Sequence, residues 1–177
     1  APLVEEQVGI PTFLFNDADA CALGELGFGN IDPDGDLLFL LVELRPQEHP
    51  PILGAGLGIV LNGELRHGKH NGAGEFRSVA QSDHARTQFR VTDEYTARSM
   101  AERLLVEQFA EELATNVALI ANALDLDNVV VGGDVEEFFS IVHSALDRRI
   151  RGLRVVPGNH QVRVALPEWS RDPVPYG

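Results

Sequence analysis

Chemistry in this chain centres on Asn16 and Asp17. An apolar run from Pro11 to Phe15 stops at this pair, and a small-residue helical pattern from Ala18 to Glu25 follows. That order sets an amide and a carboxylate side by side at the C-terminal mouth of a strand, the edge where open α/β sheets bind ligands. A carboxylate there takes a proton from a hydroxyl, and the amide orients the same ligand. The pair also suits a helix cap, since Asp and Asn are among the best N-caps. The local pattern leaves both readings open.

A second cluster of polar side chains is weaker. His67, His70 and His84 with Asp83 form a metal set by composition. Zinc sites take three or four ligands at tight spacing, so solvated loop histidines are expected and no metal site is assigned. Cys21 is the only cysteine. It excludes an internal disulfide and a multi-cysteine metal site, and it fits a reducing cytoplasm.

The elements that would hold these residues alternate between strand and helix. Thr12 to Phe15 reads as a buried strand and Ala18 to Leu26 as a helix, stopped by Gly27 and Gly29. Asp32-Pro33-Asp34-Gly35 is a turn, and Leu37 to Leu44 a long apolar strand. The prolines of Arg45 to Pro51 remove ladder donors, so that segment is no central strand. Asn62-Gly63 suits a type I′ hairpin turn. Gly68 to Gly74 is a glycine-rich loop, and by residue type alone Gly54 to Gly58 also reads as a glycine turn. Ser78 to Val91 is polar and carries no periodicity.

Asp93 to Ala123 is the longest helical stretch, with Leu105, Phe109, Leu113 and Val117 at i+4 spacing. Asn128 to Val131 is a short strand ending in Gly132-Gly133, Glu136 to Arg151 is amphipathic, and Val155 to Val164 gives one or two short strands. The pattern predicts a mixed α/β sheet.

The chain has 177 residues and 44% hydrophobic content, enough for one domain with a core. A net charge of −13, with no basic patch interleaved with aromatics, predicts that this segment repels a phosphate backbone and contacts no nucleic acid. No apolar run approaches the roughly 20 residues needed to span a bilayer, so no membrane partner is expected.

Several motifs follow one another in a telling order. They are Asn16-Asp17-Ala18 with Ala22-Leu23-Gly24-Glu25, then Gly58 to Leu65, then Gly68 through Gly72-Ala73-Gly74-Glu75, and finally Val129-Val130-Val131-Gly132-Gly133. In this order they resemble the ROK family of bacterial sugar kinases and sugar-responsive transcriptional repressors, from about Gly9 to Gly133. The resemblance implies the large lobe of an actin-like, ribonuclease-H-like ATPase fold and a small-molecule sugar as ligand. It implies that Asp17 is the general base for a sugar hydroxyl in a kinase, that Asn16 holds a neighbouring hydroxyl, and that Glu75 binds sugar as well. The default for Glu75 without that context is a solvated loop residue.

The resemblance also puts Gly54, Gly56, Gly132 and Gly133 on the nucleotide side, where glycine allows close backbone approach. A strand-to-helix turn would use Gly132 and Gly133 equally. ATP and magnesium would be the cofactors of a kinase; none is expected for this chain alone. Family members commonly form dimers, so a homodimer is an expectation too.

The departures from the family pattern matter as much. After Gly-Ala-Gly-Glu the family has x-Gly-His, where this chain has Phe76-Arg77-Ser78. The Gly-Thr that opens the phosphate-contacting loop becomes Ile52-Leu53 in an ungapped alignment, and a gapped one that sets Gly54 to Gly58 on the motif loses the Thr hydroxyl as well. The cysteines of the family's structural zinc and its Asp-x-Gly-Gly-Thr phosphate loop are absent. Residues 1–177 are therefore expected to be a single domain, an excised large lobe without the small lobe, any helix-turn-helix or the last helix. Such a lobe would not be catalytically competent by itself. The favoured expectation is a sugar-sensing lobe of a transcriptional regulator with degenerate kinase motifs. The others are the large lobe of a glucokinase-like enzyme, and a scaffold serving subunit contacts.

Overall fold

A computed structural model describes residues 2–11, 15–48, 51–97, 102–155 and 161–168. The strand expected from Thr12 falls on residues 12–14, outside the described residues. The elements in order are α1 (Pro2–Val8), α2 (Asp17–Phe28), β1 (Leu37–Arg45), β2 (Ile52–Leu61), β3 (Glu64–Leu65), α3 (Arg90–Ala97), α4 (Glu102–Ala123), β4 (Asn128–Gly133), α5 (Phe139–Leu153) and β5 (Arg163–Ala165). The five strands form one mixed sheet in the order β3-β2-β1-β4-β5. β1 runs antiparallel to β2 and parallel to β4, and β5 adds parallel to β4.

β1 is the central strand because its sequence, Leu-Leu-Phe-Leu-Leu-Val, suits burial on both faces. Side chains alternate along a strand. Leu37, Phe39 and Leu41 pack with Ala18, Cys21 and Ala22 of α2. Leu38, Leu40 and Val42 join the larger core with α4 and α5. The stripe predicted on α4 is real: Leu105, Phe109, Leu113 and Val117 are fully buried. The long helix expected from Asp93 instead has its described parts in α3, which begins at Arg90, and in α4, with residues 98–101 outside the description.

The glycine turn expected at Gly54 to Gly58 is corrected. These residues are the interior of β2, paired with β1 from Glu43↔Gly54 to Phe39↔Gly58. Helix packing explains the glycines. A Cβ on Gly58 would overlap the Ala18 carbonyl oxygen and sit 2.6 Å from the Ala22 Cβ. Where α2 crosses β2 it presents the small side chains Ala18 and Ala22, so it rests nearly on the backbone of β2 there. The hairpin after β2 is as predicted. Asn62 and Gly63 have φ of 53° and 72°, the left-handed pair a type I′ turn requires. No described helix is long and apolar enough to cross a membrane.

Candidate functional site

Asn16 is the N-cap of α2. Its Oδ1 accepts from the Ala18 amide at 2.9 Å, and its backbone is extended at φ −63°, ψ 148°. Asp17 opens the helix and shares that donor, its Oδ1 lying 2.8 Å from the Ala18 amide. The cap is therefore present, and it uses only part of the pair. The Asn16 Nδ2 donates to Glu75 Oε1 at 2.9 Å. Fifty-nine residues separate the two in sequence. All three side chains are exposed, so the amide and both carboxylates form an accessible polar cluster at the start of α2.

The glycine-rich loop delivers Glu75. Gly68, Asn71 and Gly74 all have positive φ. At Gly74 (φ 86°) a Cβ would overlap the Leu57 carbonyl oxygen, so the loop turns tightly against β2 just before Glu75. A second tie holds the loop to α2: His67 Nδ1 lies 3.1 Å from Asp19 Oδ2. Asp19 is 6% exposed and its Oδ1 is buried with no hydrogen-bond partner among the described residues. Phe15 adds a ring contact to His67, with centroids 5.8 Å apart. His67 was expected to be solvated in a loop. It is half-exposed and joined to a buried carboxylate. Asp19 sits in the helical pattern with no local signal of its partner, so sequence reasoning passed over it.

The four glycines assigned to nucleotide converge at one end of the sheet. Gly56 and Gly132 both pair with Leu41, on either side of β1. Gly54 pairs with Glu43, and Gly133 with Val42. Gly133 has φ 89°, and a Cβ there would overlap the Val42 carbonyl oxygen. The start of α2 lies over the same end, since a Cβ on Gly56 would meet the Ala18 Cβ at 3.3 Å. Asn16, Asp17 and the four glycines thus share one end of the sheet.

Gln88, in the segment without periodicity, is a structural residue that the sequence did not reveal. Its Oε1 accepts from the Ala55 amide at 2.9 Å, and its Nε2 donates to the Ala55 and Phe76 carbonyls at 2.7 and 3.0 Å. β3 covers the edge of β2 only at Val60 and Leu61. Further along, the Gln88 carboxamide takes the place of a neighbouring strand. Beside it, Ala55, Glu75, Arg77, Arg86, Thr87 and Gln88 line an open cleft of about 600 Å³.

A larger cavity, about 840 Å³, lies among α3, α4 and α5 and holds none of the predicted residues. Its polar groups serve the fold. Glu112 accepts from the amides of Arg90 and Val91 at the start of α3, and Asn116 bonds Val79, Ser78 and the Glu112 carbonyl. The smaller cleft is the one that includes a member of the polar cluster, Glu75. Among the described residues no three His, Cys, Asp or Glu side chains are placed to hold a metal ion.

No protein-family model and no curated protein matches the chain. Solved structures do. A ROK family transcriptional regulator, a homologue of the E. coli Mlc protein, superposes with a TM-score of 0.74 at 19% identity, over 99% of this chain and 52% of its own length. The ROK hexokinase from Thermus thermophilus gives 0.66 at 20% identity, over 97% of this chain and 65% of its own. A ROK glucokinase from Streptomyces griseus, solved with glucose and AMPPNP, gives 0.66 at 17% identity, over 96% and 67%. The chain thus spans about half the length of the regulator and about two-thirds of each kinase. Its structural neighbours are ROK proteins of both kinds, and it has the mixed-sheet, actin-like ATPase type of fold that they share.

Proposed function

We propose that this chain is the sugar-sensing lobe of a ROK-type transcriptional regulator. One observation carries the reading: Asn16 and Glu75, distant in sequence, meet at 2.9 Å beside Asp17 in an exposed cluster. Two acceptor carboxylates and a donor amide at one point form a set suited to adjacent hydroxyls, which both donate and accept. Asp17 makes only a local bond to the Ala18 amide, so it retains acceptor capacity for a ligand hydroxyl.

The regulator is favoured over the kinase by what the catalytic side lacks. Phosphoryl transfer needs donors and cations placed around the transferred group. Here the edge nearest Gly54 begins Ile52-Leu53 and supplies no hydroxyl. The fold likeness to the Mlc homologue supports the same reading. The kinase stays as the second reading because the family resemblance gives Asp17 the role of general base, with ATP and magnesium supplied to the full-length protein.

The test is ADP release by the full-length protein with ATP, magnesium and a panel of hexoses, amino sugars and their N-acetyl forms, alongside calorimetric binding of the same sugars. The regulator predicts saturable binding of a sugar without turnover. Turnover that Asp17→Asn abolishes would establish the kinase instead, and no binding by any sugar would leave the scaffold.

A further inference from the structure

The cleft beside Glu75 departs from the rest of the surface in its charge. The chain carries −13 overall, and every other described arginine sits in an ion pair. Arg77 and Arg86 do not pair with any described carboxylate, and both line this one cleft. Their placement is built by the fold. Residues 78–88 form a closed surface excursion whose ends are tied by the Ser78 amide donating to the Gln88 carbonyl at 3.0 Å. Gln88 bonds the Phe76 carbonyl from the same side. The excursion therefore brings Arg86 back beside Arg77. Arg77 is steadied by donating to the Asp83 carbonyl at 3.3 Å, a bond that leaves its charge uncompensated.

The cleft lining carries both signs of charge. It includes Glu75, bonded to Asn16, an acceptor for hydroxyls. The same lining includes Arg77 and Arg86, with the Thr87 hydroxyl bonded to Gln81 of the loop and to Asp93 of α3. Guanidinium is the side chain best matched to carboxylate and phosphate, because its planar fork donates in pairs. Two uncompensated guanidiniums set beside a hydroxyl-accepting carboxylate suit a ligand with hydroxyls at one end and an anion at the other.

We propose that the saccharide bound at Asn16, Asp17 and Glu75 carries an anionic substituent, a phosphate monoester or a carboxylate, held by Arg77 and Arg86. This rests on the sugar-binding reading above and adds the class of sugar. It gives Arg77, in the place of the family's glycine, a role in ligand choice.

The test is calorimetric titration of the full-length protein at physiological salt with matched probes: neutral hexoses, their 6-phosphates, the corresponding hexuronic acids, and inorganic phosphate. An anionic member should bind at least about tenfold tighter than its neutral counterpart, the scale of one good charge-assisted contact. The phosphate and uronate arms tell which anion the cleft takes. Arg77→Ala/Arg86→Ala should bring the ratio of anionic to neutral affinity close to one. Equal or weaker binding of the anionic sugars by the wild-type protein overturns the proposal while leaving the sugar site standing. So does inorganic phosphate binding as tightly as the sugar phosphates, or a ratio unchanged in the double variant. Silence toward every saccharide overturns the sugar reading and this proposal with it.

Discussion

The Asn16 carboxamide works in two directions: its oxygen caps α2 through the Ala18 amide, and its nitrogen holds Glu75 Oε1 at 2.9 Å. The two bonds separate by mutation. Asn16→Ala removes both and should cost about 1 kcal/mol of stability, the usual value of an N-cap. Asn16→Asp keeps a capping oxygen but sets a carboxylate against Glu75. It should unfold in urea close to wild type while losing sugar affinity. Equal loss of stability in both variants would show that the Glu75 bond, rather than the cap, holds the helix start.

The seat of α2 on β2 predicts opposite signs for two glycines. Gly58→Ala places a methyl against the Ala18 carbonyl and the Ala22 Cβ, so it should destabilise by about 1–3 kcal/mol through overpacking. Gly27→Ala, in α2 and with nothing within 4 Å of its Cβ, should stabilise by about 0.5 kcal/mol. Urea midpoints of the two variants check the pair.

Gln88 predicts a local effect. Gln88→Ala removes three hydrogen bonds and exposes the edge of β2 at Ala55. The expected loss is about 2 kcal/mol, several modest net bonds together. Amide hydrogen exchange should quicken at Ala55 more than at Val60, which β3 still covers. Uniform quickening along β2 would mean the clamp is not local.

Asp19 and His67 predict coupling. His67→Ala leaves the Asp19 carboxylate buried with its hydrogen-bond partner gone, at a cost of about 1–3 kcal/mol. Adding Asp19→Asn removes the stranded charge, so the double variant should be no less stable than His67→Ala alone. A double-mutant cycle with purely additive losses would refute the pairing.

The sequence revealed features that rest on local chemistry. The Asn62-Gly63 hairpin follows from two positive φ values that those residues tolerate, and β1 from the unbroken apolar run Leu37 to Val42. Gly54 to Gly58 was misjudged because glycine serves close packing as readily as turning, and only the position of Ala18 and Ala22 decides between them. Asn16 and Glu75 were both named as candidates, but nothing local says that they touch. Gln88 and the Asp19–His67 tie escaped for the same reason: each is a long-range contact of a residue type that is usually solvated. In the unperiodic segment, long-range side-chain bonds to β2 and α4, with local ones in its own turns, take the place of regular backbone pairing.

The most direct test is calorimetric titration of the sugar panel into the full-length protein and its Asp17→Asn variant. Asp17 is exposed and bonds only the adjacent amide, so the exchange leaves the fold in place. The site proposed at Asn16, Asp17 and Glu75 predicts that a sugar binds the wild type saturably and the variant at least about tenfold more weakly, the value of one charged hydrogen bond. Equal affinity of the two proteins for that sugar, or no binding across the panel, would contradict it.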